Sequence, residues 1–181
     1  MLNQYAIIRA LETISTYPQK SMSVRQLAKF AKISPAMASI AFDYFKNSDL
    51  TKIQQIGRTY QFHANLQNPL MQQWKLLFTL DQIQKSNFVN SVLKKIPNVS
   101  SILLYGSKAR GTDDEKSDID ILIIAHNPQK HIDLSHIMSC ETNILIYTPT
   151  QWKQKFRDNK VFYDNIIYDS IVLFGVRPVI L

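Results

Sequence analysis

ILLYGSKARGTDDEKSDIDILII, residues 102–124, reads as a strand, a glycine turn, a short helix, a loop and a second strand. Gly106-Ser107 follows the apolar run Ile102 to Tyr105. The glycine can bend the backbone sharply there and leave Ser107 and the next amides at a helix start, where an anion such as a phosphate is favoured. Asp118 and Asp120 are two residues apart in the next run. On a strand, that spacing puts both carboxylates on one face, close enough to share a hard cation such as Mg2+ through oxygen ligands. Two solvated aspartates at a sheet edge would be the plainer alternative, but it leaves unexplained why charges interrupt a run as apolar as Ile119 and Ile121 to Ala125. A phosphate cradle leading into a carboxylate pair suits the transfer of a nucleotidyl group from a triphosphate, with metal polarising the phosphoryl oxygens.

Taken together, Gly106-Ser107-Lys108-Ala109-Arg110-Gly111 and Ser117-Asp118-Ile119-Asp120 resemble the signature of the DNA polymerase β-like nucleotidyltransferase superfamily, in particular its small, minimal members. The resemblance continues in ETNILIYTPTQW, residues 141–152, and covers roughly residues 67–175. It implies an α/β (α+β) fold with a small mixed sheet, a nucleoside triphosphate substrate and Mg2+. It also implies nucleotide contacts from Gly106, Ser107 and Arg110, and a catalytic, metal-holding role for Asp118 and Asp120. Active members generally carry a third carboxylate on the following strand. Counting back from Tyr147-Thr148-Pro149 places Asn143 at that position. An amide can meet a metal through its oxygen but cannot take a proton at neutral pH. Glu141, two residues earlier and on the same strand face, is the catalytic carboxylate that would replace it, and Asp133 is a more distant candidate. Arg110 has two readings, contact with a phosphate or neutralisation of Asp113, Asp114 or Asp118. The acidic run Asp113 to Glu115 reads as a solvated loop.

A chain of 181 residues with 45% hydrophobic content fits one ordinary domain or two small ones with a buried core. No apolar run approaches the ~18 residues of a membrane span, and the first thirty residues lack a signal-peptide pattern. A cytoplasmic protein without membrane contact is expected. Cys140 is the single cysteine, so no internal disulfide can form. The histidines show no zinc spacing; His131 and His136 are five apart, which does not bring them to one helix face. Neither a GxGxxG nor a GxxxxGK[ST] loop is present, so dinucleotide and P-loop classes lack support.

The net charge of +7 is uneven. Residues 1–68 hold eight Lys/Arg against three Asp/Glu, whereas residues 69–181 hold thirteen against eleven. The basic excess of the first third is what a nucleic-acid contact requires, although solubility alone would also be served. Ile7, Ile8, Leu11 and Ile14 make a helical stripe; Ser23 to Gln26 is a capping-box pattern; Ser34-Pro35 supplies an N-cap and first-turn proline. Leu50 to Ile56 and Tyr60 to Phe62 then read as a hairpin around Gly57-Arg58. Three helices followed by a hairpin resemble a winged helix-turn-helix domain over roughly residues 3–64, with Ser34 to Asn47 in the place of the recognition helix. Domains are expected at 1–66 (winged helix-turn-helix), 67–98 (helical connector) and 99–181 (nucleotidyltransferase).

Duplex DNA would be met by Lys29, Lys32, Ser34, Met37, Lys46 and the wing-tip Arg58, with Lys52 nearby. The expected recognition helix carries no basic residue before Lys46, so phosphate contact without much base reading is expected. Its outer Met37 and Ile40 could equally dock a protein partner or a second copy. Three functions follow from these features. The first is Mg2+-dependent transfer of a nucleoside monophosphate to a hydroxyl acceptor. The second is a DNA-binding regulator whose degenerate nucleotidyltransferase domain senses a nucleotide or partner, and the third is the antitoxin of a toxin-antitoxin pair.

Overall fold

The computed structural model describes residues 5–57, 59–126, 128 and 141–180. Arg58, His131, Asp133, His136 and Cys140 lie outside the described residues. The chain divides into two compact units. One comprises the residues up to Phe78 together with Gly111–Lys116, and the other comprises Thr79–Arg110 and Ser117 onward.

In the first unit, helices α1 (Ala6–Thr16), α2 (Val24–Ala31) and α3 (Pro35–Asn47) are followed by an antiparallel hairpin of β1 (Thr51–Ile56) and β2 (Thr59–Ala64). Helix starts follow local chemistry. The Ser23 hydroxyl accepts from the Gln26 amide while the Gln26 side chain accepts from the Ser23 amide, and Ser34 accepts from Met37 N ahead of Pro35. Met22 and Phe62 exchange both backbone hydrogen bonds at 2.9 Å, which ties the α1–α2 connection to the hairpin. The core gathers Leu11, Ile14, Leu27, Ala38, Phe45 and Phe62, and helix α4 (Pro69–Lys85) adds Met71, Trp74 and Phe78.

The second unit holds the end of α4, α5 (Phe88–Lys95), β3 (Val99–Tyr105), α6 (Gly106–Arg110), β4 (Ile119–Ala125), β5 (Thr142–Tyr147), α7 (Pro149–Asp158), α8 (Lys160–Asp169) and β6 (Ile171–Gly175). Its four-stranded sheet runs β5-β4-β3-β6, with β4 and β5 parallel and the other neighbours antiparallel. This is the mixed α/β arrangement expected from the sequence. Leu103, Leu122 and Ile124 face a core with Trp152, Tyr163 and Ile166, whereas Ile102, Leu104, Ile121 and Ile123 alternate with them and are also buried. The central strands are therefore covered on both faces, which explains their nearly continuous apolar sequence. Thr148 caps α7 with the reciprocal Gln151 arrangement, and Trp152 Nε1 donates to Pro178 O at 2.8 Å. Among the described residues, no helix is long and apolar enough to cross a membrane.

Candidate active site

Three neighbouring strands bring Tyr105, Asp120 and Asn143 into one row. Tyr105 at the end of β3 pairs with Asp120 on β4, and Asp120 pairs with Asn143 on β5. Asn143 Nδ2 donates to Asp120 Oδ1 at 3.2 Å. An amide, not a carboxylate, thus stands beside Asp120 on the neighbouring strand. Asp118 lies just ahead of β4, two residues from Asp120.

The turn after β3 packs tightly on this row. Gly106 has φ +77°, a conformation that favours glycine, and an added Cβ would overlap Asp120 Oδ2 and lie 3.1 Å from its Cγ. Only a residue without a side chain lets the turn pass this close to the carboxylate. Gly106 opens the five-residue α6, with Ser107 half-buried at its second position.

The electrostatics concentrate on Asp120. Its carboxyl is raised above the ordinary 3.8, first by burial and then by the negative charge of Asp118; the Asn143 hydrogen bond and the Arg110 charge pull the other way. The Tyr105 hydroxyl is pushed up to about 12 by burial, then by Asp120 and Tyr147. It stays protonated in any physiological buffer.

Arg110 is half-exposed and reaches Asp169 on α8, Nη1 to Oδ2 at 3.5 Å. That partner is 59 residues away, and no local sequence signal points to it. Glu141 is exposed just before β5, and its carbonyl accepts from Ile119 N at 3.0 Å. Among the described residues, no group of three or more His, Cys, Asp or Glu is arranged to hold a metal. Asp118 and Asp120 sense each other's charge, and among the described residues no third carboxylate groups with them. Asp113, expected in a solvated loop, is instead buried in the first unit against Lys75, while Glu115 is exposed. Lys29, Lys32, Ser34 and Lys46 are exposed around α2 and α3, and Met37 is half-buried.

A glycine turn packed against Asp120 on β4, with Asp118 just ahead of that strand on a small mixed sheet, is a nucleotidyltransferase type of arrangement. Residues 87–177 match the family model described as polymerase beta, nucleotidyltransferase, and the chain belongs to this family. A candidate protein adenylyltransferase of Methanocaldococcus jannaschii is 37% identical over 65 residues, which cover 33% of this chain and 44% of that protein. The chain thus spans less than half the length of that curated relative. A solved structure of a candidate nucleotidyltransferase from Sulfolobus solfataricus is 16% identical, with a TM-score of 0.38, covering 56% of this chain and 87% of that one.

Proposed function

We propose that residues 99–181 transfer a nucleoside monophosphate from a triphosphate to a hydroxyl acceptor. The observation that carries this is Asp120, held between the Gly106 turn and Asn143 with Asp118 two residues away. The adenylyltransferase relative favours ATP as donor and a protein hydroxyl as acceptor.

The donor set suits Mg2+. Burial, and then repulsion from Asp118, raises the Asp120 carboxyl, so the pair gains from a hard cation, and Mg2+ commonly takes its remaining ligands from phosphates and water. Asp118 and Asp120 would hold it, with the Asn143 amide oxygen as a further donor. When bound, it supplies charge neutralisation on the phosphoryl oxygens.

The protein's own groups divide the remaining work. Ser107 and the amides after Gly106 hold phosphate oxygens, and Arg110 can turn from the exposed Asp169 toward the same charge. The acceptor oxygen forms a bond to the α-phosphorus as the bond to the bridging oxygen breaks, and pyrophosphate leaves with the electron pair. Asn143 cannot take the acceptor's proton. We assign that proton to Glu141, exposed two residues before Asn143.

Transfer of label from α-labelled ATP to protein in a lysate, with Mg2+, tests this reading. The intact protein should label a target, and the Asp118→Asn/Asp120→Asn variant should not. Equal labelling by both would contradict the proposal.

For residues 1–66, we propose a winged helix-turn-helix module, with residues 67–98 as connector. Three helices followed by an antiparallel hairpin support it, and exposed Lys29, Lys32 and Lys46 favour phosphate contact with duplex DNA. A regulatory role would then accompany or replace transfer. Each phosphate contact should add about −0.9 to the slope of log affinity against log salt. Salt-independent association with a protein would instead assign the face with Ile40 (53% exposed) and Tyr44 (55% exposed) to a partner or second copy.

A further inference from the structure

We propose that Lys75 and Asp113 are positioning residues for the acidic pair, acting through the loop Gly111–Lys116. This deepens the nucleotide-site reading above and rests on it.

That loop joins α6, which carries Ser107 and Arg110, to Ser117-Asp118, yet it packs with the first unit. Two contacts fasten it there. At its start, Gly111 has φ +68° and lies so close to Gln72 of α4 that a Cβ would overlap the Gln72 carbonyl. In its middle, Asp113 Oδ2 accepts from Lys75 Nζ at 3.1 Å, and the same ammonium donates to Ser15 O at 2.7 Å near the end of α1. Lys75 and Asp113 are only 4% and 6% exposed. The loop is thereby fixed to two helices by one buried cation.

Stability alone is a poor reason for this arrangement. Desolvating both charges costs about as much as their attraction returns, and apolar residues of similar volume commonly serve a core as well. What an apolar contact lacks is direction. The ammonium, held by the Ser15 carbonyl, fixes where the Asp113 carboxylate sits, and Asp113 lies five residues before Asp118. The preceding end of the loop is bonded to Arg110. Through chain connectivity alone, the anchor limits the positions open to Arg110 and to Ser117-Asp118 at the two ends of the loop.

Two measurements on the full chain test the proposal. In the unaltered protein, hydrogen exchange across a denaturant series should show amides of residues 112–116 opening together with those of α1 and the first half of α4. Opening of the loop independently of those helices would overturn the anchor. The second measurement is calorimetric binding of Mg–ATP well below each variant's Tm. Lys75→Met and Asp113→Asn should each weaken binding at least tenfold. The apolar pair Lys75→Met/Asp113→Leu should recover Tm close to that of the unaltered protein while binding stays at least tenfold weaker. Full recovery of both Tm and binding in that double variant, or unchanged binding in the single variants, would make the pair merely structural. Absence of Mg–ATP binding by the unaltered protein would instead overturn the site reading itself, and this proposal with it.

Discussion

Asn143 donates its side-chain amide to Asp120 across the parallel β4–β5 pair, Nδ2 to Oδ1 at 3.2 Å. The residue beside the carboxylate therefore supplies a hydrogen bond and no negative charge. This separates two tasks that a third carboxylate would combine, ligation and proton removal. Asn143 can orient Asp120 and offer an oxygen, but the proton must go elsewhere.

Replacing Asn143 with aspartate should make thermal stability more sensitive to metal. A second carboxylate at hydrogen-bond distance from Asp120 adds like-charge repulsion to a carboxyl already raised by burial. In chelator, Asn143→Asp should lower Tm by about 2–4 °C, the shift of roughly 1 kcal/mol in a chain of this length. Mg2+ should restore it, with a larger Tm gain than the unaltered protein shows. Melting curves with EDTA and with Mg2+ check this; equal Mg2+ responses in the two proteins would count against metal at this position.

The raised Asp120 carboxyl gives a signed pH effect. Between its unfolded value and its higher folded value, the native state holds more protons than the unfolded chain. Stability contributed by this group therefore falls as pH rises above about 3.8, and the loss is complete above the folded value. Asp120→Asn removes that loss. The variant should melt above the unaltered protein at pH 7, with the gap closing toward pH 3.5. Calorimetric scans at the two pH values measure it, and a variant that is less stable at pH 7 would contradict the assigned strain.

Gly106→Ala should damage the site more than the fold. A left-handed alanine costs on the order of 1–2 kcal/mol, and its Cβ would displace the Asp120 carboxylate. A stability loss of that size should accompany at least a tenfold loss of nucleotide affinity. Chemical denaturation and ligand titration of the same variant separate the two effects. Unchanged affinity would mean that Asp120 does not contact the ligand's metal or phosphates.

Much of this was legible because it is written in neighbouring residues. Ser23 with Gln26, Ser34 with Pro35, and Thr148 with Gln151 mark helix starts by local hydrogen bonding, and each cap is observed. The run ahead of Tyr147-Thr148-Pro149 forms β5 over Thr142–Tyr147, and its parallel pairing with β4 sets Asn143 beside Asp120. The partners of charged groups were not legible. Asp113 sits in an acidic, turn-like stretch whose local pattern reads as solvated, yet its cation is Lys75, 38 residues earlier on a helix. Arg110 had three acidic residues close in sequence but reaches Asp169 on α8. The second hairpin strand also runs through Ala64, longer than the apolar pattern indicates, because His63 and Ala64 pair with Lys52 and Thr51 and Ala64 N donates to Pro18 O at 3.2 Å. In each case the deciding contact is set by tertiary packing.

Calorimetric titration with ATP, GTP, CTP and UTP, each with and without Mg2+, tests the central claim most directly when run beside Asp118→Asn/Asp120→Asn. The account predicts metal-dependent binding of at least one triphosphate, abolished in the double variant. Binding of none, or binding that survives loss of both carboxylates, would contradict a working nucleotidyltransferase site at Asp118 and Asp120.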